Sequence, residues 1–186
     1  MEVREMGLPD AVAEQFLKNQ VEKKVNGLKS IISTIKLQQI TSAIKQKALM
    51  DMFEETGEQQ VVVFTQFVKT LADLNADLKK DKISFTTLEE GKLKDFQAGK
   101  HKVFTSNLIA GGTGLNMQSA STMFFVDFDW NPSINEQAVA RIDRIGQNNS
   151  MDIYYMVCKD TVDEILWDTN IKKAKMVKKV EQKVME

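Results

Sequence analysis

The sequence is nearly devoid of cysteine and histidine, and this excludes two common ways of stabilising a small protein. Among 186 residues there is one cysteine, Cys158, and one histidine, His101. A single cysteine cannot form an internal disulfide, and these two residues do not make a set of zinc ligands. We therefore expect a protein of a reducing compartment, without a bound metal, whose fold depends on a hydrophobic core.

Excess charge and long apolar segments are also missing. Lysine and arginine number 25 and aspartate and glutamate 26, which gives a formal net charge of -1. Any contact with nucleic acid must then come from locally placed donors rather than from bulk positive charge. No apolar run approaches the roughly 20 residues that span a bilayer, and the first ten residues lack a signal-peptide core. We expect no membrane partner and a cytoplasmic location.

Short apolar runs alternate with helical segments along most of the chain. Residues 1–57 are predicted to form a helical lead-in, because their apolar residues recur at three- and four-residue spacing. Five strand-like runs follow, rich in β-branched or aromatic residues, at 61–65, 82–86, 102–106, 122–127 and 152–158. This alternation predicts an α/β fold for residues 58–160, with a mainly parallel sheet covered by helices on both faces. Residues 161–186 are predicted to form a C-terminal helix with a basic end, since the last 16 residues contain six lysines and two glutamates.

Two loops that follow predicted strands are candidates for ligand binding. The segment TSNLIAGGTGLNM, residues 105–117, carries three glycines, which allow a ligand to approach the backbone closely. It matches neither a Walker A loop nor a dinucleotide-binding motif, and a purely structural turn is the alternative. The segment DFDWNPS, residues 127–133, places Trp130 at a strand end, where it either covers the core or packs against a ligand's sugar or base.

The segment QAVARIDRIGQ, residues 137–147, predicts an amphipathic helix with two arginines on one face. Ser133 and Glu136 form an S-x-x-E capping box, which predicts the start of this helix. At 100° per residue, Gln137, Arg141 and Arg144 lie together, about a quarter-turn from an apolar stripe of Ile134, Ala138, Ile142 and Ile145. Two surface arginines in weak ion pairs would give the same pattern.

Four segments follow one another along the chain in this order: VVVFTQF, AGGTGLNM, DFDWNPS and QAVARIDRIGQ. Together they resemble motifs of the C-terminal RecA-like lobe of Swi/Snf-type ATPases, in helicase superfamily two. The flanking segments extend the resemblance to residues 28–168. It implies a RecA-like fold and the C-terminal motor lobe of a DNA-dependent ATPase or translocase, with ATP as the nucleotide.

The resemblance also implies a role for each matching residue of the nucleotide site. Arg141 and Arg144 would be arginine fingers that reach the γ-phosphate of ATP on a partner lobe, where arginine supplies a permanent, forked positive charge. Gln137 would orient them or contact the nucleotide. Three residues of the glycine-containing loop would lie near phosphate and ribose: Gly112, Gly114 and Asn116.

For double-stranded DNA, the resemblance implies contacts to the phosphate backbone that do not read sequence. The residues that correspond to these contacts are Thr65, Gln66, Thr86, Ser106, Asn107 and Trp130. The chain departs from the family at two of these places. The turn after the second strand lacks the family's glycine and the arginine of the next helix, and Leu108 and Ile109 replace a Thr-Arg pair that contacts phosphate.

A complete ATP site cannot be assembled from this chain. Neither of its Gly-Lys pairs continues as a Walker A motif, and its only Asp-Glu pair, Asp163-Glu164, is predicted to open a helix rather than to end a strand. The resemblance implies that a first lobe, in the same or a partner chain, binds ATP with Mg, and that the isolated chain is inactive. The alternatives are a non-catalytic DNA- or protein-binding module and an RNA-directed helicase lobe. The compact form favours a bacterial or phage protein over a nuclear remodeller.

Overall fold

The computed structural model describes residues 32–53, 56–88, 92–111, 115–144, 146–147 and 149–185. The chain divides into two compact units, residues 1–37 and 38–186. In the first unit, the described residues 32–37 are helical. The helical residues of the second unit that follow, 38–53, are called α1 here. Within the described part of the chain, no helix combines the length and the apolar character that a membrane crossing requires.

Five parallel strands form one sheet in the second unit, in the order β2-β3-β1-β4-β5. The prediction of a mainly parallel α/β sheet is therefore confirmed. The elements after α1 are β1 (Val61–Thr65), α2 (Val68–Lys80), β2 (Phe85–Thr87), α3 (Lys92–Gln97), β3 (Val103–Asn107), α4 (Leu108–Gly111), β4 (Thr122–Phe125), α5 (Pro132–Val139), β5 (Asp152–Tyr155) and α6 (Val162–Met185).

Helices cover both faces of the sheet, and the side chains of β1 alternate between them. Val62 and Phe64 pack into a cluster with residues of α3, α5 and α6, among them Phe96, Ala138 and Leu166. Val61 and Val63 pack on the other side with residues of α1 and α2: Leu49, Phe53, Leu74 and Leu78. The central strands are buried along their whole length, as the continuous apolar runs in the sequence predict.

The helix α1 buries polar side chains in its first half and apolar ones in its second. Its inward positions are occupied first by Gln38, Thr41, Ser42, Lys45 and Gln46, and then by Leu49 and Phe53. Ile40 and Ile44, which carry the apolar periodicity of the sequence, are exposed. Helix formation is confirmed here, whereas residues 1–31 and 54–55 of the predicted lead-in lie outside the described residues.

The helix α5 begins and ends earlier than its sequence predicts. The predicted capping box at Ser133 is wrong, because Asn131 caps the helix by accepting a hydrogen bond from the Ser133 backbone N–H (3.1 Å), and Pro132 is the first helical residue. The helix ends at Val139, and the Arg141 and Ile142 N–H groups bond three residues back in turns. The single helical face predicted for Gln137, Arg141 and Arg144 is therefore wrong.

Candidate functional site

The carboxyl ends of β3, β1 and β4 lie side by side at one edge of the sheet, which we call the strand-end edge. In open parallel sheets this is the edge where ligands bind. The side-chain amide of Asn107, at the end of β3, donates to the carbonyl of Gln66, directly after β1, at 2.7 Å. Two of the residues assigned to DNA contact are thus joined across neighbouring strands.

Three other residues assigned to DNA contact are buried hydroxyls. Thr65 donates to the Phe67 carbonyl (3.3 Å), and Ser106 donates to the Asn107 carbonyl (3.1 Å), so both bond within their own loops. Thr86 lies in the middle of β2, and its hydroxyl has no hydrogen-bond partner among the described residues. Gln66 and Asn107 are only half-buried, so they are the more accessible members of this group.

The turn that follows β4 carries Trp130 and is held in place by α5 and α6. Asn135 of α5 accepts from the Asp129 N–H (2.8 Å) and donates to the Asp129 carbonyl (2.9 Å). Asn170 of α6 donates to that same carbonyl, and Lys173 donates to the Trp130 carbonyl at 3.0 Å. Trp130 itself is 37% exposed. The turn therefore presents an aromatic ring at the surface on a backbone fixed by two helices.

A buried ion-pair cluster lies at the base of this turn. Lys45 of α1 donates to Asp127, which follows β4, and to Asp163 in the first turn of α6, at 3.1 Å in each case. Lys45 is 4% exposed, and each carboxylate 1%. Hydroxyls of α1 complete the cluster, because Ser42 donates to Asp127 (2.5 Å) and Thr41 to Asp163 (2.9 Å). Buried charges are tolerated when they are paired and hydrogen-bonded in this way.

The free thiol of Cys158 borders the ion-pair cluster. Burial raises the pKa of Cys158, and the nearby Asp163 carboxylate raises it further, whereas Lys45 acts in the opposite direction. Its backbone N–H donates to Asp163 at 3.2 Å. A thiol with a raised pKa is a weak nucleophile. Cys158 thus fits a packing role beside the cluster.

The arginines lie among turns and bends at residues 141–144 and 146–147, which we call the arginine segment. Arg141 is half-buried and Arg144 is exposed. The Arg141 carbonyl accepts from the Met117 N–H at 3.0 Å. Gly146 has φ of +106°, a conformation that glycine adopts without a steric cost. The segment is therefore shaped by contacts to another loop and by one glycine, and not by continuation of α5.

The loop that contacts the arginine segment is the one that follows the glycines. Gln147 donates to the carbonyls of Gln118 (3.2 Å) and Ala120 (2.7 Å). Asn116 of this loop is half-buried, and its carbonyl accepts from the Gln97 side chain at 2.6 Å. The structure thus brings the segment of Asn116 beside the segment of Arg141 and Arg144. Gln137 is exposed on α5, and the assigned Gly112 and Gly114 lie outside the described residues.

Sequence reasoning missed the ion-pair cluster, although a signal for it exists. Thr41, Lys45 and Leu49 follow one another at four-residue spacing, so Lys45 lies in line with a core position. Asp127 lies two residues after the apolar strand β4. A lysine in line with a core position and an acid at a strand end together indicate a buried pair.

This geometry defines a class of protein: a RecA-like α/β lobe with polar groups at its strand-end edge and an arginine segment after α5. Comparison with known proteins gives the family. Residues 44–146 match the family described as helicase conserved C-terminal domain. The chain belongs to this family and is the C-terminal RecA-like lobe of a Swi/Snf-type ATPase, as its sequence motifs predict.

Individual relatives agree with this assignment. The DNA repair protein RAD5B of Arabidopsis thaliana is 32% identical over 140 residues, which are 70% of this chain and 11% of that protein. The chromatin-remodeling ATPase INO80 of Vanderwaltozyma polyspora is 31% identical over 158 residues, 79% of this chain and 10% of that protein. The chain thus spans about a tenth of the length of these relatives. The prediction of a bacterial or phage source stays a prediction.

A solved structure confirms the fold. The crystal structure of the C-terminal part of the Fun30 ATPase domain aligns with a TM-score of 0.60 and 23% identity, over 67% of this chain and 43% of that one. The RecA-like architecture predicted from the sequence is therefore confirmed.

Proposed function

We propose that this chain is the C-terminal motor lobe of a DNA-stimulated ATPase that translocates on duplex DNA. ATP would bind to a first lobe, in the same or a partner chain, and this chain would complete the site. One observation carries the proposal: the loop of Asn116 and the arginine segment are hydrogen-bonded to each other through Met117 and Gln147. In this proposal, the loop assigned to phosphate and ribose and the segment that carries the arginines form one surface toward the nucleotide.

In this proposal, Arg141 and Arg144 donate to the γ-phosphate oxygens as these gain charge in the transition state. The donor set fits a phosphate, since guanidinium groups are permanently charged and bind oxygens in a fork. Gln137 and Asn116 add amide groups on the same lobe. No group of three or more His, Cys, Asp or Glu side chains that could hold a metal ion lies within the described residues. The first lobe holds Mg in this proposal.

The strand-end edge would grip the DNA backbone. Trp130 is exposed there, and Gln66 and Asn107 are half-buried. The buried hydroxyls of Thr65, Ser106 and Thr86 lie on strands and would act through the shape of the strand ends rather than by direct contact. Such contacts position the protein on the duplex without reading its sequence. Closure of the two lobes on ATP and their reopening after hydrolysis would move this grip along one strand.

The domain division is part of the proposal. Residues 1–57 would be the lead-in, 58–160 the RecA-like lobe and 161–186 the closing helix with its basic end. The isolated chain would not hydrolyse ATP, because the Walker A loop that completes the site would lie on the first lobe. We propose the cytoplasm as its location, as expected from the sequence.

Substitution of the arginines tests the proposal. In a protein in which this chain is joined to its first lobe, Arg141→Ala and Arg144→Ala should each lower the DNA-stimulated ATPase rate by about 10³- to 10⁵-fold. DNA binding should remain close to that of the parent protein. The matched control is Lys80→Ala, which removes an exposed cation from the last turn of α2 and should leave turnover unchanged. Near-normal turnover in both arginine variants would contradict the assignment.

A further inference from the structure

The carboxylate of Asp127 connects α1 to the loop that follows β1. One of its oxygens, Oδ1, accepts from Ser42 and Lys45 of α1. The other, Oδ2, accepts from the backbone N–H of Gln66 at 3.4 Å. Asp127 itself lies two residues after β4, next to the core residue Val126. A single buried side chain thus joins a helix and the ends of two neighbouring strands.

These bonds continue along the strand-end edge beyond Gln66. The carbonyl of Gln66 accepts from Asn107, and the side-chain oxygen of Asn107 accepts from the Ile109 N–H at 3.0 Å. The line therefore runs from Lys45 through Asp127 and Gln66 to Asn107, across the ends of β4, β1 and β3. Both backbone polar groups of Gln66 are therefore bonded: its N–H donates to Asp127, and its carbonyl accepts from Asn107.

Lys45 makes this arrangement possible. A carboxylate that is 1% exposed requires compensation, and Lys45 is the cation that contacts it. Lys45 also contacts Asp163 on α6, so the two acids face the same ammonium group. They differ in what else they hold: Asp127 binds the loop of a proposed DNA contact, whereas Asp163 binds the backbone of Cys158.

We propose that Asp127, paired with Lys45, is a positioning residue that sets the loop after β1 and thereby the grip on the DNA backbone. The part that concerns DNA rests on the proposed function. Asp127 does not itself contact DNA in this proposal, because it is buried beneath the loop. It fixes the Gln66 backbone and, through the Gln66 carbonyl, the Asn107 side chain, so that the loop after β1 is in position at the strand-end edge before DNA arrives.

A comparison of Asp127→Asn with Asp163→Asn tests this proposal. Each substitution removes one of the two buried carboxylates that face Lys45, so a purely structural cluster predicts similar effects. Asparagine at 127 keeps one acceptor oxygen, which cannot serve both α1 and the Gln66 N–H, and it adds a donor group beside other donors. We therefore expect Asp127→Asn to move the Gln66 backbone amide resonance in NMR spectra of the chain, and Asp163→Asn to leave it near its original position.

The functional measurement uses the chain joined to its first lobe. Asp127→Asn should raise the duplex concentration for half-maximal ATPase stimulation about tenfold, the size expected for one lost hydrogen bond to a charged group. The kcat at saturating DNA should be nearly unchanged, because the arginines are untouched. Asp163→Asn should change neither value by more than about twofold. Unlike the arginine variants, Asp127→Asn should thus raise the duplex concentration needed for half-maximal stimulation and leave the maximal turnover intact.

Several outcomes would overturn the proposal. These are equal movement of the Gln66 amide in both variants, an unmoved amide in Asp127→Asn, or a moved amide with unchanged DNA dependence. If the parent protein shows no DNA stimulation at all, the proposed function fails, whereas the amide comparison still decides whether Asp127 positions the loop. If Asp127→Asn does not fold, Ser42→Ala takes its place, since it removes one donor to Asp127 and leaves both ion pairs. It should move the Gln66 amide by a smaller amount, and an unmoved amide would then overturn the proposal.

Discussion

The strand-end edge and the arginine segment hold their polar groups in different ways. At the strand-end edge, Gln66 and Trp130 stand on backbone that is fixed from below, by Asp127 in one case and by Asn135 and Asn170 in the other. In the arginine segment, Arg144 is an exposed side chain on a turn. Its backbone N–H donates to the Ile142 carbonyl and its carbonyl accepts from the Gln147 N–H, so that its backbone bonds stay within the arginine segment.

This difference indicates which functions depend on the stability of the lobe. A grip on DNA requires loops in fixed positions before the duplex arrives, because ordering them at that moment would cost conformational entropy. An arginine that contacts ATP bound to another lobe must remain accessible until the two lobes close. Substitutions under the strand-end edge should therefore affect folding and positioning, and substitution of the exposed Arg144 should affect turnover alone.

The largest effect on stability is expected from Lys45→Met. The substitution leaves Asp127 and Asp163 buried beside each other without a cation, and removal of one partner of a buried ion pair typically costs about 3–5 kcal/mol. Denaturant unfolding of the chain, followed by circular dichroism, measures this loss. The matched control is Lys47→Met, two residues along the same helix and exposed, which should change the free energy of unfolding by less than about 0.5 kcal/mol. A loss below about 1 kcal/mol for Lys45→Met would show that the cluster is open to water.

The sequence predicts the sheet well and the buried cluster not at all, for one physical reason. The strands β1 and β4 are continuous apolar runs. A strand that is buried on both faces favours an apolar residue at every position, whichever residues it contacts. The pairing of Lys45 with Asp127 joins residues 82 positions apart. The apolar periodicity of a helix predicts which of its residues face the core. In α1 it points to Ile40 and Ile44, but both are exposed. A buried charge is determined by its partner, and the partner is fixed only by the fold.

The end of α5 illustrates the same limit at shorter range. Ala140 and Arg141 have high helix propensity, so the local sequence favours a helix that continues. The structure ends it at Val139, because the carbonyl of Arg141 is used by Met117 of another loop. The candidate residues Arg141 and Arg144 were found from their motif, whereas the turns that carry them follow from a tertiary contact.

A moderate effect is expected from Asn170→Ala, which loosens the turn of Trp130. The Asp129 carbonyl keeps its bond from Asn135, so one of two donors is lost, at a cost of about 0.5–1.5 kcal/mol. The fluorescence of Trp130, measured in a Trp167→Phe background, should shift to longer wavelength as the ring becomes more exposed. Thr169→Ala removes a neighbouring hydroxyl that bonds only within α6, and it should leave the spectrum unchanged. An unchanged spectrum in Asn170→Ala as well would mean that Asn135 and Lys173 hold the turn without Asn170.

The smallest effect on stability is expected from Arg144→Ala, the variant that should most reduce turnover. Its side chain is exposed, and substitutions at exposed positions usually change the free energy of unfolding by no more than about 0.5 kcal/mol. Denaturant unfolding under the conditions used for Lys45→Met makes the two values directly comparable. A loss above about 1 kcal/mol would mean that Arg144 supports the fold of the arginine segment, and a fall in ATPase rate could then be structural. With stability preserved, loss of turnover would assign Arg144 to chemistry on the other lobe, because nothing in its own lobe would depend on it.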